Sequence, residues 1–266
     1  MEKLIVLGTG YAMATRCYNT CFAIGQGQEY LLVDAGGGNG ILNQLQDAEI
    51  SFSQIKHLIV THEHCDHLLG VVWVVRKIGT MMQSGAYTGE FHIWCHAQLV
   101  QAIQTICSLT LQKKITKLFG EQIVFHAVSD GEQADILGHQ ITFFDIHSTK
   151  APQYGFSMQK DGKKLTCLGD EPYNPVCEQH VKGSDWLLCE AFCLYADREI
   201  FKPYEKHHST VREACQLAQE LGIPNLVLWH TEDKNYSQRK ELYTQEGKEF
   251  YTGQLYVPYD LEQIVL

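Results

Sequence analysis

The stretch Thr61-His62-Glu63-His64-Cys65-Asp66-His67 constrains this chain more than any other. It follows an apolar segment, His57 to Val60, that reads as a strand. It precedes a run from Leu68 to Ile78 that is almost entirely apolar and reads as a buried helix. Four potential ligands therefore lie within six residues, at the end of a strand that would aim them together. His62 and His64, two apart, share one face of an extended loop, while Asp66 and His67 turn toward a second ion. Imidazole and carboxylate donors together suit zinc, and catalytic zinc sites leave one position open for water. A His-rich surface loop is the poorer reading, because the flanks are apolar. Cys65, set between ligands, reads as a small packing residue.

The rest of the chain supplies strands in two groups. Lys3 to Leu7 is a short buried strand leaving through the Gly8-Thr9-Gly10 turn. Thr20 to Ile24 and Tyr30 to Val33 pair around Gly25-Gln26-Gly27. The Gly36 to Gly40 loop leads into a short helix with Ile41, Leu42 and Leu45, and a further helix runs from Ala97 to about Ser108. In the second half, Gln122 to His126, Gln140 to Ile146, Tyr154 to Gln159 and Lys164 to Leu168 read as strands. An Asp161-Gly162 turn joins the last two. Trp186 to Cys189 and Asn225 to Trp229 are strands separated by a helix from about Val211 to Leu221. That helix opens on a capping box, Thr210 with Glu213, and stops at Gly222 before Pro224. Two groups of strands with helices between them predict two sheets face to face, covered outside by helices. With 6 Pro and no Ser/Gly linker, residues 1–266 are expected to form a single domain.

At the His-rich segment the chain resembles the metallo-β-lactamase superfamily, over essentially its whole length. Members carry the H-x-H-x-D-H signature, then a distant His, an Asp and a final His, each at a strand end. Here these are His147 after Ile141 to Ile146, Asp170 after Leu165 to Leu168, and His230 after Leu226 to Trp229. The resemblance implies a four-layer αββα sandwich, two mixed sheets flanked by helices. It also implies two divalent metal ions, zinc by expectation, with Mn2+, Fe2+ or Ni2+ as other candidates. By the match His62, His64 and His147 hold one ion, Asp66, His67 and His230 hold the other, and Asp170 bridges them; Asp66 also counts among the catalytic residues.

A narrower resemblance follows. Lys206-His207-His208-Ser209-Thr210-Val211, just before a helix, and Glu190-Ala191-Phe192, at a strand end, look like the paired loops of the ribonuclease Z group. Gly8-Thr9-Gly10 with Arg16 and Asn19-Thr20 also resembles that group. The match implies that His208 is the general acid for the leaving group and Glu190 the residue that orients it. His207 is the rival for that role.

Three departures bear on the substrate. Ribonuclease Z proper inserts a long tRNA-grasping arm between the third-motif His and the bridging Asp, but here His147 and Asp170 are only 170 − 147 = 23 positions apart. After His230 the chain reads Thr231-Glu232-Asp233-Lys234, an acidic stretch where the group contacts phosphate, and Gly36 to Gly40 replaces a sequence that usually holds an acidic residue. The formal charge is 21 − 31 = −10, whereas proteins that grip a long polyanion usually show a basic surface. The expected function is therefore hydrolysis of a small or nucleotide-like phosphodiester by metal-bound hydroxide. A tRNA 3′-processing endonuclease that docks its substrate as a dimer is the alternative; a non-phosphoester hydrolase or a non-catalytic scaffold on the same fold ranks below it. The 10 cysteines form no C-x-x-C pair and read as reduced thiols. No segment has the length of a membrane span or the flanks of a signal peptide, so a cytoplasmic location is expected.

Overall fold

The computed structural model describes residues 2–266. The chain forms two compact units, one comprising Met1–Gly8, Tyr18–Ser129 and Asp260–Leu266, the other Thr9–Cys17 and Asp130–Tyr259.

The first unit holds β1 (Lys3–Gly8), β2 (Cys21–Gln26), β3 (Glu29–Val33), α1 (Gly40–Asp47), β4 (Ile55–Ile59), α2 (Cys65–Gln83), β5 (Phe91–His96), α3 (Ala97–Thr110), α4 (Lys113–Thr116) and β6 (Ile123–Val128). The second holds β7 (Gln133–Ile136), β8 (His139–Asp145), β9 (Tyr154–Lys160), β10 (Lys163–Cys167), α5 (Glu178–Val181), β11 (Trp186–Glu190), α6 (Arg198–Phe201), α7 (Val211–Glu220), β12 (Asn225–Trp229), α8 (Arg239–Lys248) and β13 (Gln254–Tyr256). The closing β14 (Gln263–Val265) returns to the first.

Each unit is built on one mixed seven-stranded sheet. In the first, the order is β14-β1-β2-β3-β4-β5-β6, antiparallel as far as β3 and parallel from β3 to β6. Apolar residues of α1, α2 and α3, among them Leu45, Val71, Val75 and Ile103, pack with Leu32, Leu58 and Ile93 of the strands in one core. In the second, the order is β13-β12-β11-β10-β9-β8-β7, parallel from β13 to β10 and antiparallel from β10 to β7. Val211, Ala214 and Cys215 of α7 pack there on Leu187, Leu226 and Leu228. No helix among the described residues is long and apolar enough to cross a membrane.

These sheets decide where the loops fall. β3 and β4 run parallel, so Asp34 and His62, which follow them, leave the same sheet edge. In the second unit β8 and β10 share a direction, both being antiparallel to β9, and β10, β11 and β12 are parallel. His147, Asp170, Glu190 and His230 therefore emerge at one edge, the carboxyl end where α/β sheets carry their sites.

Several boundaries differ from expectation. The helix expected from Leu68 begins at Cys65 and extends to Gln83, so Asp66 and His67 occupy its first turn rather than a loop. Cys65 is exposed, not packed. Of the expected Gly25-Gln26-Gly27 turn, Gly25 and Gln26 belong to β2 and the chain turns from Gly27, which takes the left-handed φ of 61° that the turn needs. β5 has the buried-outward alternation of a half-covered strand, and α8 is polar almost all round; both escaped the pattern reading. The Thr210–Glu213 box and the Asp161-Gly162 turn stand as expected, the latter with φ of 50° and 78°.

Candidate metal centre and its surroundings

In the first unit one carboxylate organises two of the histidines. Asp34 Oδ1 accepts from Thr61 N at 2.8 Å, and its Oδ2 accepts from Thr61 Oγ1 at 2.8 Å and from His67 Nδ1 at 2.8 Å. The proton on His67 is thereby fixed at Nδ1, leaving the lone pair on Nε2. Thr61 spends its only hydroxyl proton on Asp34, so the contact between Thr61 Oγ1 and His62 Nδ1 at 2.9 Å needs the proton on His62. Nε2 of His62 also keeps its lone pair. This is the outer-shell pattern that fixes tautomer and orientation of metal-binding imidazoles. Gly70 lets α2 come close enough for the contact: its amide donates to Gly36 O at 2.8 Å, and a Cβ there would lie 1.8 Å from Ala35 O.

In the second unit, Gln153 Nε2 donates to Asp170 Oδ1 at 2.7 Å, and Asp170 Oδ2 lies 3.5 Å from His230 Nε2. In the first unit, His67 Nε2 and Asp66 Oδ2 are also 3.5 Å apart. Both spacings match the edge of a tetrahedron about a zinc ion with bonds near 2.1 Å, about 3.4 Å. The donors thus fit the group. His62 Nε2 and His64 Nδ1, at 2.9 Å, sit closer than such an edge and would have to open slightly.

Of the seven expected ligands, His62, Asp66 and His67 in the first unit and Asp170 and His230 in the second belong to buried groups suited to a metal ion. His64 and His147 stand outside these groups; His64 is half-buried and His147 exposed. Asp34, His147 and His230 all adopt left-handed backbone, with φ of 53°, 58° and 56°. Aspartate and histidine tolerate that region better than most residues, but each still carries strain.

His208 lies in the second unit beside Asp170 and His230. It is 8% exposed, its ring stacks on Phe192 at 5.1 Å, and its centroid is 5.0 Å from that of His230. Its Nδ1 is 2.9 Å from the backbone oxygen of Asp170. A carbonyl only accepts, so the proton sits on Nδ1 and the lone pair on Nε2. Burial, and then His230, push its pKa down to about 3, against the pull of Asp170. Glu190 is fully buried; its Oε1 accepts from Ser209 N at 2.6 Å, and its Oε2 lies 3.7 Å from His208 Nδ1. Burial holds the Glu190 carboxyl well above the usual carboxylate range, although Ser209 pulls it down. His207 is exposed, with Nδ1 2.9 Å from Thr149 Oγ1.

Pattern reading passed over Asp34, Gln153 and Arg239. Arg239 is fully buried and donates to Thr231 Oγ1 at 2.7 Å, Thr9 Oγ1 at 3.0 Å and Pro258 O at 2.7 Å, pinning the loop that begins at His230. For Asp34 a signal existed: an acid at the end of an apolar strand, directly before a Gly-rich loop.

Comparison with known proteins identifies the family and the fold. The β-lactamase superfamily domain matches residues 29–231, well over half of the chain. Ribonuclease Z of Bacteroides fragilis is 23% identical over 292 aligned positions, covering 86% of this chain and 89% of that protein. The metallo-β-lactamase fold protein YhfI from Bacillus subtilis superposes with a TM-score of 0.80 at 18% identity, covering 99% of this chain and 98% of that one. Human tRNase Z, short form, gives 0.74 at 19%, covering 99% and 98%. The two mixed sheets with their helices are the α/β sandwich fold of these proteins, and the chain belongs to the β-lactamase superfamily as a ribonuclease Z-like, metal-dependent hydrolase.

Proposed function

We propose that this protein hydrolyses a phosphodiester of small or nucleotide-like kind, with both units serving as one hydrolase domain. His62, His64, Asp66, His67, His147, Asp170 and His230 would hold two zinc ions, Asp170 shared between them. When bound, such ions supply Lewis acidity to the substrate oxygens and lower the pKa of water at neutral pH.

The observation that carries the reading is His208, buried beside Asp170 and His230 with Nδ1–H committed to the Asp170 carbonyl. Its free nitrogen is then Nε2, the atom that meets the substrate. With a pKa pushed to about 3, the imidazole is neutral in the free protein at pH 7. An anionic phosphodiester beside the ring would favour the imidazolium and raise that value, so that a proton accompanies the substrate. His208 Nε2 then delivers it to the departing alkoxide. A neutral lactam or thioester supplies no such charge. Glu190 and Phe192 hold the ring in place, and Asp66 contributes through the metal it binds.

Two features support the small substrate: the acidic balance of 21 − 31 = −10 and the 23-position spacing from His147 to Asp170. The alignment with the Bacteroides relative, at 292 positions, is also longer than the 266 residues of this chain, as insertions in that relative require. The test is a panel of diesters, from bis(p-nitrophenyl) phosphate to precursor tRNA, on metal-analysed protein at low salt. Turnover of small diesters with weak tRNA binding is expected. Tight tRNA binding with 3′-end cleavage would instead make the protein a tRNA-processing endonuclease, and no diester turnover at all would remove the phosphodiesterase reading.

A further inference from the structure

Three histidines and a tryptophan on the first sheet have no part in the chemistry above. His57 on β4, His92 and Trp94 on β5 and His126 on β6 share one sheet face; the alternate residues Phe91, Ile93 and Cys95 point the other way into the helix-covered core. His57 pairs with His92, and Trp94 with His126, which makes His92 and His126 diagonal neighbours. Their Nδ1 and Nε2 atoms, respectively, are 3.0 Å apart.

We propose that His92 Nδ1 and His126 Nε2 form a second, separate chelating site for a divalent transition ion of square or octahedral preference, Cu2+ or Ni2+. Two nitrogens 3.0 Å apart, each about 2.05 Å from an ion, subtend roughly 94° at it. That is close to the cis angle of a tetragonal or octahedral ion and tighter than the tetrahedral one. Solvent completes the coordination, because both rings are only half-buried.

The surroundings suit the role. With Nδ1 on the ion, His92 keeps its proton at Nε2, and Glu90 Oε2 lies 3.6 Å from that nitrogen. A carboxylate behind a ligating imidazole is the usual outer-shell support. Trp94 Nε1 can only donate, and it does so to His57 Nδ1 at 3.3 Å. His57 therefore offers no lone pair there; its ring stacks on His92 at 5.0 Å and 16° and holds it in plane. Trp94 itself stacks on His126 at 3.8 Å and 10°, close enough to report on an ion bound there.

The experiment adds Cu2+ stepwise to the protein as purified, its own metals left in place, while Trp emission, zinc release and the copper spin-resonance spectrum are followed. One Cu2+ per chain should bind without displacing zinc, quench Trp94 and show two nitrogen ligands. His92→Gln and His126→Gln should each lose this uptake while keeping diester turnover, and Glu90→Gln should weaken it roughly 10-fold. Trp94→Phe should keep the uptake and lose the quenching. Uptake in His92→Gln and His126→Gln equal to that of the parent protein, or no uptake beyond the metals already present, overturns the proposal; the contact is then an N–H···N hydrogen bond between two neutral rings.

Discussion

Asp34 Oδ2 accepts the Nδ1 proton of His67 across 2.8 Å, and through Thr61 the same carboxylate sets the tautomer of His62. Two imidazoles whose ring centroids lie 4.2 Å apart are thus held with the lone pair on Nε2 by one buried acid.

Asp34→Asn should disrupt this more than its size suggests. All three partners of Asp34, namely Thr61 N, Thr61 Oγ1 and His67 Nδ1, are donors. An amide offers one oxygen and one donor group, so either rotamer sets donor against donor or forces His67 into the wrong tautomer. Metal affinity is expected to fall roughly 10–100-fold, the usual cost of an outer-shell change. Competition with a chromophoric chelator measures it; unchanged affinity would remove Asp34 from the centre.

Elemental analysis of protein purified without chelator should find close to two metals per chain. Asp170→Ala should lower the occupancy of both ions together, because it removes the carboxylate proposed to be shared between them. His147→Ala should affect chiefly one. Protein that holds one ion or none, and takes up no added zinc, would end the binuclear assignment.

His208→Ala should keep its metals and lose turnover by roughly 10²–10⁴-fold, the range for a lost general acid. The loss should be large for an alkyl leaving group and small for p-nitrophenolate, which leaves without a proton. A loss equal for both leaving groups, or loss of metal, would make His208 a structural or ligating residue and turn attention to His207.

Glu190 ties stability to pH. Burial raises its carboxyl well above the ordinary 4.5, so between that value and the raised one the folded protein binds a proton that the unfolded chain does not. Its stabilising share is complete below the unfolded value and is lost as pH rises through the folded one. Glu190→Gln cannot titrate and should show a flatter decline over that window, read from denaturant midpoints at a series of pH values. Parallel profiles for the two proteins would mean that Glu190 is already ionised.

Much of this protein was determined by its sequence alone. His62, His64, Asp66 and His67 fall within six residues, so their chemistry needs no distant partner to be recognised. His147, Asp170, Glu190 and His230 follow apolar runs whose alternation and turns mark strand ends. Only the tertiary structure decided what holds those residues. His67 meets Asp34 from 33 positions away, Asp170 meets Gln153 from 17, and His208 gives its Nδ1 proton to a backbone oxygen 38 positions back. The start of α2 at Cys65 depends in the same way on Gly70 lying against Ala35. The pairing of His92 with His126 rests on the register of two parallel strands. Periodicity reports which face of an element is buried, whereas a hydrogen bond or a metal edge depends on where two separate elements are brought together, and only the packed sheets set that distance.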